Sequence, residues 1–333
     1  MTPRPGRKPG RPLPEPPGEP EILVAATPAA TAALAGGHLA AAIATAVARR
    51  GRADVATTGG STCPELYRAL LARPLRDRIP WDRLHLWFGD DRFVPRDDPE
   101  SNLRAVDSVL LAGDAAAGLE PAPLPPENLH PVPVDATLAA GGGPAEAAAA
   151  YEAALRVALP ADAAGRPVFD AIIVGIGPDG HLLSVFPGSA AFDAPGWVVP
   201  VPAPTHVRPH VPRVSLTPGA LDATPALLPV AFGATKAAIL AAVLAGPRDE
   251  RRLPAQRARR AGATWILDAA AARNLPPRLR GRGYHPFSDR VPAGRGATGV
   301  PVRQGEARVF SRVTMGFGAA LIAVSGLAAA TSR

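Results

Sequence analysis

Residues 169–188 read FDAIIVGIGPDGHLLSVFPG, an apolar run followed by a loop, GIGPDGH, that holds three glycines, an acid and a histidine. The run Phe169–Val174 predicts the strongest β-strand of the chain. Glycines serve a tight turn, but a turn needs neither Asp179 nor His181. This stretch therefore predicts a buried strand that ends at a functional loop.

On both sides of this strand, short apolar runs alternate with helical stretches from about residue 21 to residue 273. This alternation predicts a parallel, layered α/β sheet with crossover helices. Such sheets bind ligands where strands end and loops begin. The predicted strands are 21–26, 53–58, 84–88, 169–177, 213–217 and 226–232, the predicted helices are 31–49, 144–159 and 233–244, a further helix opens within 59–71, and residues 264–272 close the pattern.

The composition is that of a globular protein, with 47% hydrophobic and 20% charged residues among 333. The net charge of +7 arises wholly in residues 274–333, where nine arginines face only Asp289 and Glu306. Residues 1–273 are therefore neutral overall, and we expect no nucleic-acid binding by this part. The single cysteine, Cys63, excludes an internal disulfide and favours a reducing, cytoplasmic location.

Three regions are predicted from these patterns. Residues 1–20 form a Pro-rich disordered leader without the apolar core of a secretory signal. Residues 21–273 form one catalytic domain. Residues 274–333 form a basic, flexible tail whose uncharged end, 313–332, is long enough for a marginal membrane span. Because that end is weakly hydrophobic, we expect a loose tail in preference to an anchor.

Two loops carry groups that suit a sugar phosphate. Residues 57–64, TTGGSTCP, combine glycines with a helix start whose N–H groups suit a phosphate. Residues 87–95, WFGDDRFVP, place two acids and an arginine directly after a strand, and Pro99–Asn102 adds groups that suit sugar hydroxyls. A capped turn and an exposed acid–arginine pair are the structural alternatives.

Two further places carry a candidate base and candidate cations. His181 is a candidate general base, because an unperturbed histidine side chain has a pKa of about 6.5. Lys236 is predicted in the first turn of a helix, where a cation opposes the macrodipole and indicates an anionic partner. Arg208 or Arg213 would complete the cation pair. The alternatives are a histidine that bonds a carbonyl and a solvated surface lysine.

Several other kinds of site are excluded by the sequence. GIGPDG matches a dinucleotide-binding fingerprint, but Pro187-Gly188 interrupts the helix that should follow, and no acid stands at the required distance. The histidines are scattered and there is one cysteine, so we expect no metal site. No Gly-x-Ser-x-Gly elbow is present. We therefore expect neither a metal nor a nucleotide cofactor.

Taken in order, GGSTCPELYRAL, WFGDDRFVPRDDPESN, FDAIIVGIGPDGHLLSVFPG, RVSLT, the GATKA lysine and WILDAAAA resemble the 6-phosphogluconolactonase family over about residues 21–273. The resemblance implies a Rossmann-like three-layer α/β/α fold with a mostly parallel sheet. It also implies hydrolysis of 6-phospho-D-glucono-1,5-lactone, the second step of the oxidative pentose phosphate pathway. A cytoplasmic monomer or small homo-oligomer that needs no cofactor is expected.

The resemblance assigns a role to nine residues. The catalytic pair is His181, as general base, with Asp179 beside it. The substrate-binding and phosphate-binding residues are Gly60, Ser61, Thr62, Asp90, Arg92, Arg213 and Lys236. The mechanism expected is removal of a proton from water by His181, with attack on the lactone carbonyl.

The chain departs from the family pattern at three places. It has Asp91 where the family has Glu, and Leu182-Leu183 where the family has Thr-Ala. Thr205–Arg208 replaces a Lys-Pro-Pro stretch, which leaves open whether Arg208 or Arg213 contacts phosphate. Two alternatives remain: a sugar-phosphate deaminase or isomerase on the same fold, and a non-catalytic sugar-phosphate-binding protein. Ser184–Pro187 lacks the additional acid of the deaminases, which favours the lactonase.

Overall fold

The computed structural model describes residues 18–60 and 62–280, and in this part of the chain ten strands form two sheets. The strands are β1 Glu21–Ala25, β2 Ala53–Thr57, β3 Leu84–Phe88, β4 Asp90–Arg92, β5 Leu129–His130, β6 Ala171–Val174, β7 Val198–Val201, β8 Arg213–Leu216, β9 Ala226–Ala231 and β10 Thr264–Asp268. The helices are α1 Pro28–Arg50, α2 Thr62–Leu71, α3 Leu75–Arg78, α4 Leu103–Ala105 with a π-helical continuation Val106–Leu111, α5 Val134–Ala139, α6 Pro144–Ala158, α7 Pro218–Ala223 and α8 Ala237–Ala245.

Seven strands form one parallel sheet in the order β1-β10-β9-β6-β2-β3-β5. The chain crosses the sheet in one direction from β1 through β2 and β3 to β5, and returns through β6, β9 and β10. Because crossovers between parallel strands are right-handed, α1 and α2 cover one face while α6 and α8 cover the other. The predicted three-layer, mostly parallel α/β/α architecture is confirmed.

The two directions of the chain diverge between the neighbouring strands β2 and β6. From β2 the chain continues into α2 on one face, whereas the chain beyond β6 leads to elements on the opposite face. In an open α/β sheet this divergence opens a crevice outside the carboxyl ends of the two strands. The loops that follow Thr57 and Val174 start at that crevice.

A second sheet is antiparallel and has the order β4-β8-β7. The prediction of a strand at 213–217 is confirmed as β8, but this strand belongs to the small sheet and not to the parallel one. The short strands β4, β5 and β7 were not predicted. Each has two to four residues, and Pro200 lies within β7, so no long apolar run or clear alternation marks them.

Helix α1 is the one helix in the described residues that is long and apolar enough to cross a membrane. It is capped by Thr27, whose Oγ1 accepts from the N–H of Ala30, and it ends at Gly51 with φ +80°. Its buried face, which includes Leu39 and Ile43, packs on β2, β9 and β10. These contacts are those of a core crossover helix.

The predicted leader and tail lie largely outside the described residues, and so does the apolar segment 313–332. The residues that line the candidate site lie between positions 58 and 236. The division into a leader at 1–20, a catalytic domain at 21–273 and a tail at 274–333 therefore stays a prediction.

Candidate active site

A cleft of about 230 Å³ opens at the carboxyl ends of β2 and β6, where the chain directions diverge. It brings together residues from both strand ends, from the antiparallel sheet and from the turn that precedes α8. Asp179 lies beside it as the partner of His181, and Ser61 lies outside the described residues. The predicted site residues that line the cleft are Gly60, Thr62, Asp90, Arg92, His181, Arg213 and Lys236.

His181 and Asp179 form a hydrogen-bonded pair. The imidazole Nδ1 lies 2.5 Å from Asp179 Oδ1, and the backbone N–H of His181 donates to the same oxygen at 3.1 Å. A carboxylate only accepts, so Nδ1 carries the proton and the lone pair is on Nε2. Burial opposes ionisation of Asp179, but the hydrogen bonds from His181 outweigh it and hold the pKa of Asp179 well below its usual range. The pair therefore has the arrangement of a general base with its orienting acid.

Gly177 makes this pair possible by leaving room for the imidazole. A Cβ at this position would lie 2.0 Å from Nδ1 of His181. The N–H of Gly177 donates to the carbonyl oxygen of His181 at 2.8 Å, which closes the loop. Gly180 supplies a left-handed residue at φ +86° within it. The glycines of GIGPDG thus build a compact loop around the histidine.

The start of α2 forms one end of the cleft. Gly60, at φ +79°, leads into Thr62, the first residue of this ten-residue helix. The first N–H groups of a helix lack partners within the helix and favour an anion. These groups agree with the predicted sugar-phosphate loop.

Lys236 lies in a 3-10 turn, Ala234–Lys236, that leads into α8, and not in the first turn of an α-helix as predicted. Its Nζ donates to the carbonyl oxygen of Ile176 at 2.7 Å. Burial lowers the pKa of Lys236 below its usual value, and the negative charge of Asp179 only partly offsets this effect. The lysine is thereby held over the strand end that carries the histidine loop.

The antiparallel sheet presents two arginines to the cleft. The register pairs Asp90 with Ser215 and Arg92 with Arg213, so all four share one face of the sheet. Like charges directly opposite each other destabilise a sheet. The Nε atoms of Arg92 and Arg213 are buried and have no hydrogen-bond partner within residues 18–60 and 62–280. Two such guanidinium groups, side by side in a cleft, indicate an anionic ligand.

Ser184 joins the histidine loop to this sheet. Its Oγ donates to Asp90 Oδ2 at 2.6 Å, and its N–H donates to Ser215 Oγ at 3.1 Å. All three side chains are buried. Asp90 therefore lines the cleft and, through its hydrogen bond with Ser184, also holds the histidine loop in place.

The family model for glucosamine-6-phosphate isomerases/6-phosphogluconolactonase matches residues 26–266, which include the whole cleft. The chain belongs to this family. The 6-phosphogluconolactonase of Streptomyces coelicolor is 37% identical over 270 residues, covering 78% of this chain and 96% of the relative. That of Mycobacterium tuberculosis is 36% identical over 260 residues, covering 77% and 95%.

Solved structures agree with this membership of the 6-phosphogluconolactonase family. The structure of 6-phosphogluconolactonase from Trypanosoma brucei has a TM-score of 0.65 and 27% identity, and the match covers 78% of this chain and 99% of that one. A monomeric glucosamine-6-phosphate deaminase has a TM-score of 0.60 at 17% identity and shares the fold.

The departures from the 6-phosphogluconolactonase pattern leave the histidine in place. Leu182 and Leu183 are buried, and Leu183 adopts the left-handed region at φ +54°. Leu183 packs against Gly89, where a Cβ would lie 2.7 Å from its Cδ2. Of the two candidate arginines, Arg213 is only 2% exposed, whereas Arg208 lies exposed at the cleft.

Two residues of the site, Ser184 and His206, were not predicted, and Asn102 was predicted only as one of the groups in Pro99–Asn102. Asn102 lines the cleft, where its Nδ2 donates to Asp90 O and its N–H donates to Asp91 Oδ1, both at 2.8 Å. Ser184 and His206 contact Asp90 and Asp179. The cluster Pro99–Asn102 was a usable signal for Asn102, but nothing local marked the other two. No group of three or more metal-ligating side chains occurs in the part of the chain that the structure describes.

Proposed function

We propose that this protein hydrolyses 6-phospho-D-glucono-1,5-lactone to 6-phospho-D-gluconate. The observation that carries the proposal is the His181–Asp179 pair at a cleft whose other walls present two arginines, a lysine and a helix N-terminus. A base facing a surface selective for anions suits a phosphorylated substrate whose carbonyl is attacked by water. Relatives that bear the name 6-phosphogluconolactonase support the same activity.

In the proposed mechanism, the Nε2 lone pair of His181 accepts a proton from water as the oxygen attacks the lactone carbonyl carbon. Asp179 keeps Nδ1 protonated and stabilises the imidazolium that forms. Donors of the cleft stabilise the negative charge that develops on the carbonyl oxygen. The ring C–O bond then breaks, and the proton passes from the imidazolium to the departing ring oxygen, which becomes the hydroxyl of the acid product.

We assign the phosphate to the cationic end of the cleft. The groups that would hold it are Gly60 and Thr62 at the N-terminus of α2, together with Lys236 and Arg213. Arg213 is favoured over Arg208 because it is buried against the cleft and lies opposite Arg92. Binding of the remote phosphate would fix the carbonyl against His181 and lower the entropic part of the barrier.

Location and assembly belong to the same proposal. A cytoplasmic enzyme that acts on a small phosphosugar lactone agrees with the single cysteine of the chain. The thiol of Cys63 is buried beneath the loop at Thr58, and burial raises its pKa to about 12, so it is an unreactive core group. A monomer or small homo-oligomer without a cofactor remains the expected form.

The test uses purified full-length protein and freshly generated lactone, with acid release measured above spontaneous hydrolysis. We expect His181→Ala to lower kcat by about 10²- to 10⁴-fold with a much smaller change in KM. His38→Gln, on α1, is the matched control and should keep wild-type turnover. Turnover by His181→Ala near that of wild type would exclude His181 as the base, and ammonia release from glucosamine 6-phosphate would favour the deaminase.

A further inference from the structure

The carboxylate of Asp179 has a second imidazole partner. While Oδ1 contacts His181, Oδ2 lies 2.9 Å from Nε2 of His206. His206 belongs to the segment between β7 and β8, where the resemblance led us to expect Lys-Pro-Pro. It is 49% exposed, so its contact with Asp179 is not a requirement of core packing.

Phe186 connects the two imidazoles. Its ring centroid lies 4.7 Å from that of His181 and 5.7 Å from that of His206, the latter in an edge-on arrangement. The guanidinium of Arg213 lies 5.2 Å from the centroid of the same ring. His206 is therefore seated on two independent contacts, a carboxylate and an aromatic ring, both of which also touch the catalytic histidine.

We propose that His206 is a positioning residue that orients the Asp179 carboxylate toward His181. This inference rests on the proposed function, since orientation affects turnover only if His181 is the base. The last side-chain torsion of an aspartate has a broad, shallow energy minimum, so its carboxylate rotates easily. Donors on both oxygens restrict that rotation, so Oδ1 stays directed at Nδ1 and the lone pair of Nε2 stays directed into the cleft.

Other charged groups near Asp179 also affect the Asp179–His181 pair. Besides the two imidazoles, Lys236 and Arg213 act on it electrostatically. Removing the N–H of His206 leaves more negative charge on Asp179 beside the imidazolium. This charge stabilises the imidazolium of His181, so the acidic limb of kcat/KM should shift to higher pH.

Two variants separate the hydrogen bond from the ring contact. His206→Phe keeps the aromatic edge on Phe186 but removes the donor, whereas His206→Gln keeps an N–H near the position of Nε2 and removes the ring. We expect His206→Phe to lower kcat about tenfold, with KM changed less than about twofold and the acidic limb shifted to higher pH. His206→Gln should stay within about threefold of wild type. In an Asp179→Asn background, His206→Phe should have no further effect on kcat.

A spectroscopic measurement keeps the inference testable even if the protein does not hydrolyse the lactone. In ¹⁵N-histidine-labelled protein, the Nδ1–H signal of His181 should persist in wild type and His206→Gln and broaden or vanish in His206→Phe. Wild-type kcat, limb and Nδ1–H signal in His206→Phe would overturn the proposal. Equal losses in the Phe and Gln variants would overturn it as well, because the donor would then be irrelevant. Absence of lactone hydrolysis by wild type would instead overturn the proposed function.

Discussion

Gly177→Ala should slow the enzyme about 10²-fold through one added methyl group. The new Cβ would lie 2.0 Å from Nδ1, 2.1 Å from Cε1 and 2.6 Å from Cγ of the His181 ring. Real Cβ contacts are essentially never shorter than 3.0 Å. The imidazole must therefore withdraw by about 1 Å, which breaks its 2.5 Å contact with Asp179.

The size of the effect follows from that displacement. A misplacement of about 1 Å costs about 10²-fold in rate, which corresponds to about 2.7 kcal/mol of transition-state stabilisation. The groups proposed to bind the phosphate lie on other elements, so KM should change little. Because the side chain that moves is the histidine of a loop, the free energy of unfolding should fall by less than about 2 kcal/mol.

The assay compares steady-state lactone hydrolysis with urea unfolding for wild type and two glycine variants. Gly37→Ala is the matched control, since a Cβ there meets no atom within 4 Å and the residue lies on α1, away from the cleft. We expect its kcat to stay within about threefold of wild type. If Gly177→Ala is as active as Gly37→Ala, the imidazole does not occupy this position during turnover, and the assignment of the base is wrong.

Two predictions concern the dependence of stability on pH. Burial lowers the pKa of His130 to about 4, and its Nε2 lies 2.9 Å from Nδ1 of His85. The stability that neutral His130 contributes is therefore complete above about pH 6.5 and is lost as the pH falls toward 4. His130→Phe should remove about 1–2 kcal/mol of the stability loss between pH 7 and 5, after discounting for solvent screening, and an unchanged urea profile would refute this. Burial raises the pKa of Asp91 to about 7, so the stability that protonated Asp91 contributes is lost as the pH rises through 7. The free energy of unfolding of Asp91→Asn, relative to that of wild type, should therefore increase by about 1–3 kcal/mol between pH 5 and 8. A difference between the two proteins that stays constant over this range would contradict the prediction.

The parallel sheet was predictable because its strands carry continuous apolar runs. The predictions at 21–26, 53–58, 84–88 and 226–232 match β1, β2, β3 and β9 to within one residue. The carboxyl ends of such strands share one edge of the sheet, so polar residues just after them converge. That rule placed His181, Thr62 and Lys236 at one cleft before any contact was known.

The contacts of the small sheet could not be predicted in the same way. Strand β4 has three residues, all charged, and pairs with β8 across more than 100 residues of chain. Nothing local marks such a pairing, because its stability comes from tertiary contacts and not from propensity. His206 was missed for a related reason: in sequence it is one histidine of a Pro-rich loop, and only the fold brings it to Asp179.

The small sheet explains how the His181 side of the site is held at a fixed distance from the arginine side. The parallel sheet supplies His181, the proposed base, beyond the end of β6, while Arg92 and Arg213 come from β4 and β8. Ser184, three residues after His181, bonds to Asp90 on β4 and to Ser215 on β8. Since Asp90 and Ser215 are the cross-strand pair next to the arginine pair on the same face, this serine fixes the histidine loop relative to both guanidinium groups. The spacing between the proposed base and the two arginines is therefore set by one buried hydrogen-bond network, which joins the two sheets at the place where the proposed substrate would bridge them.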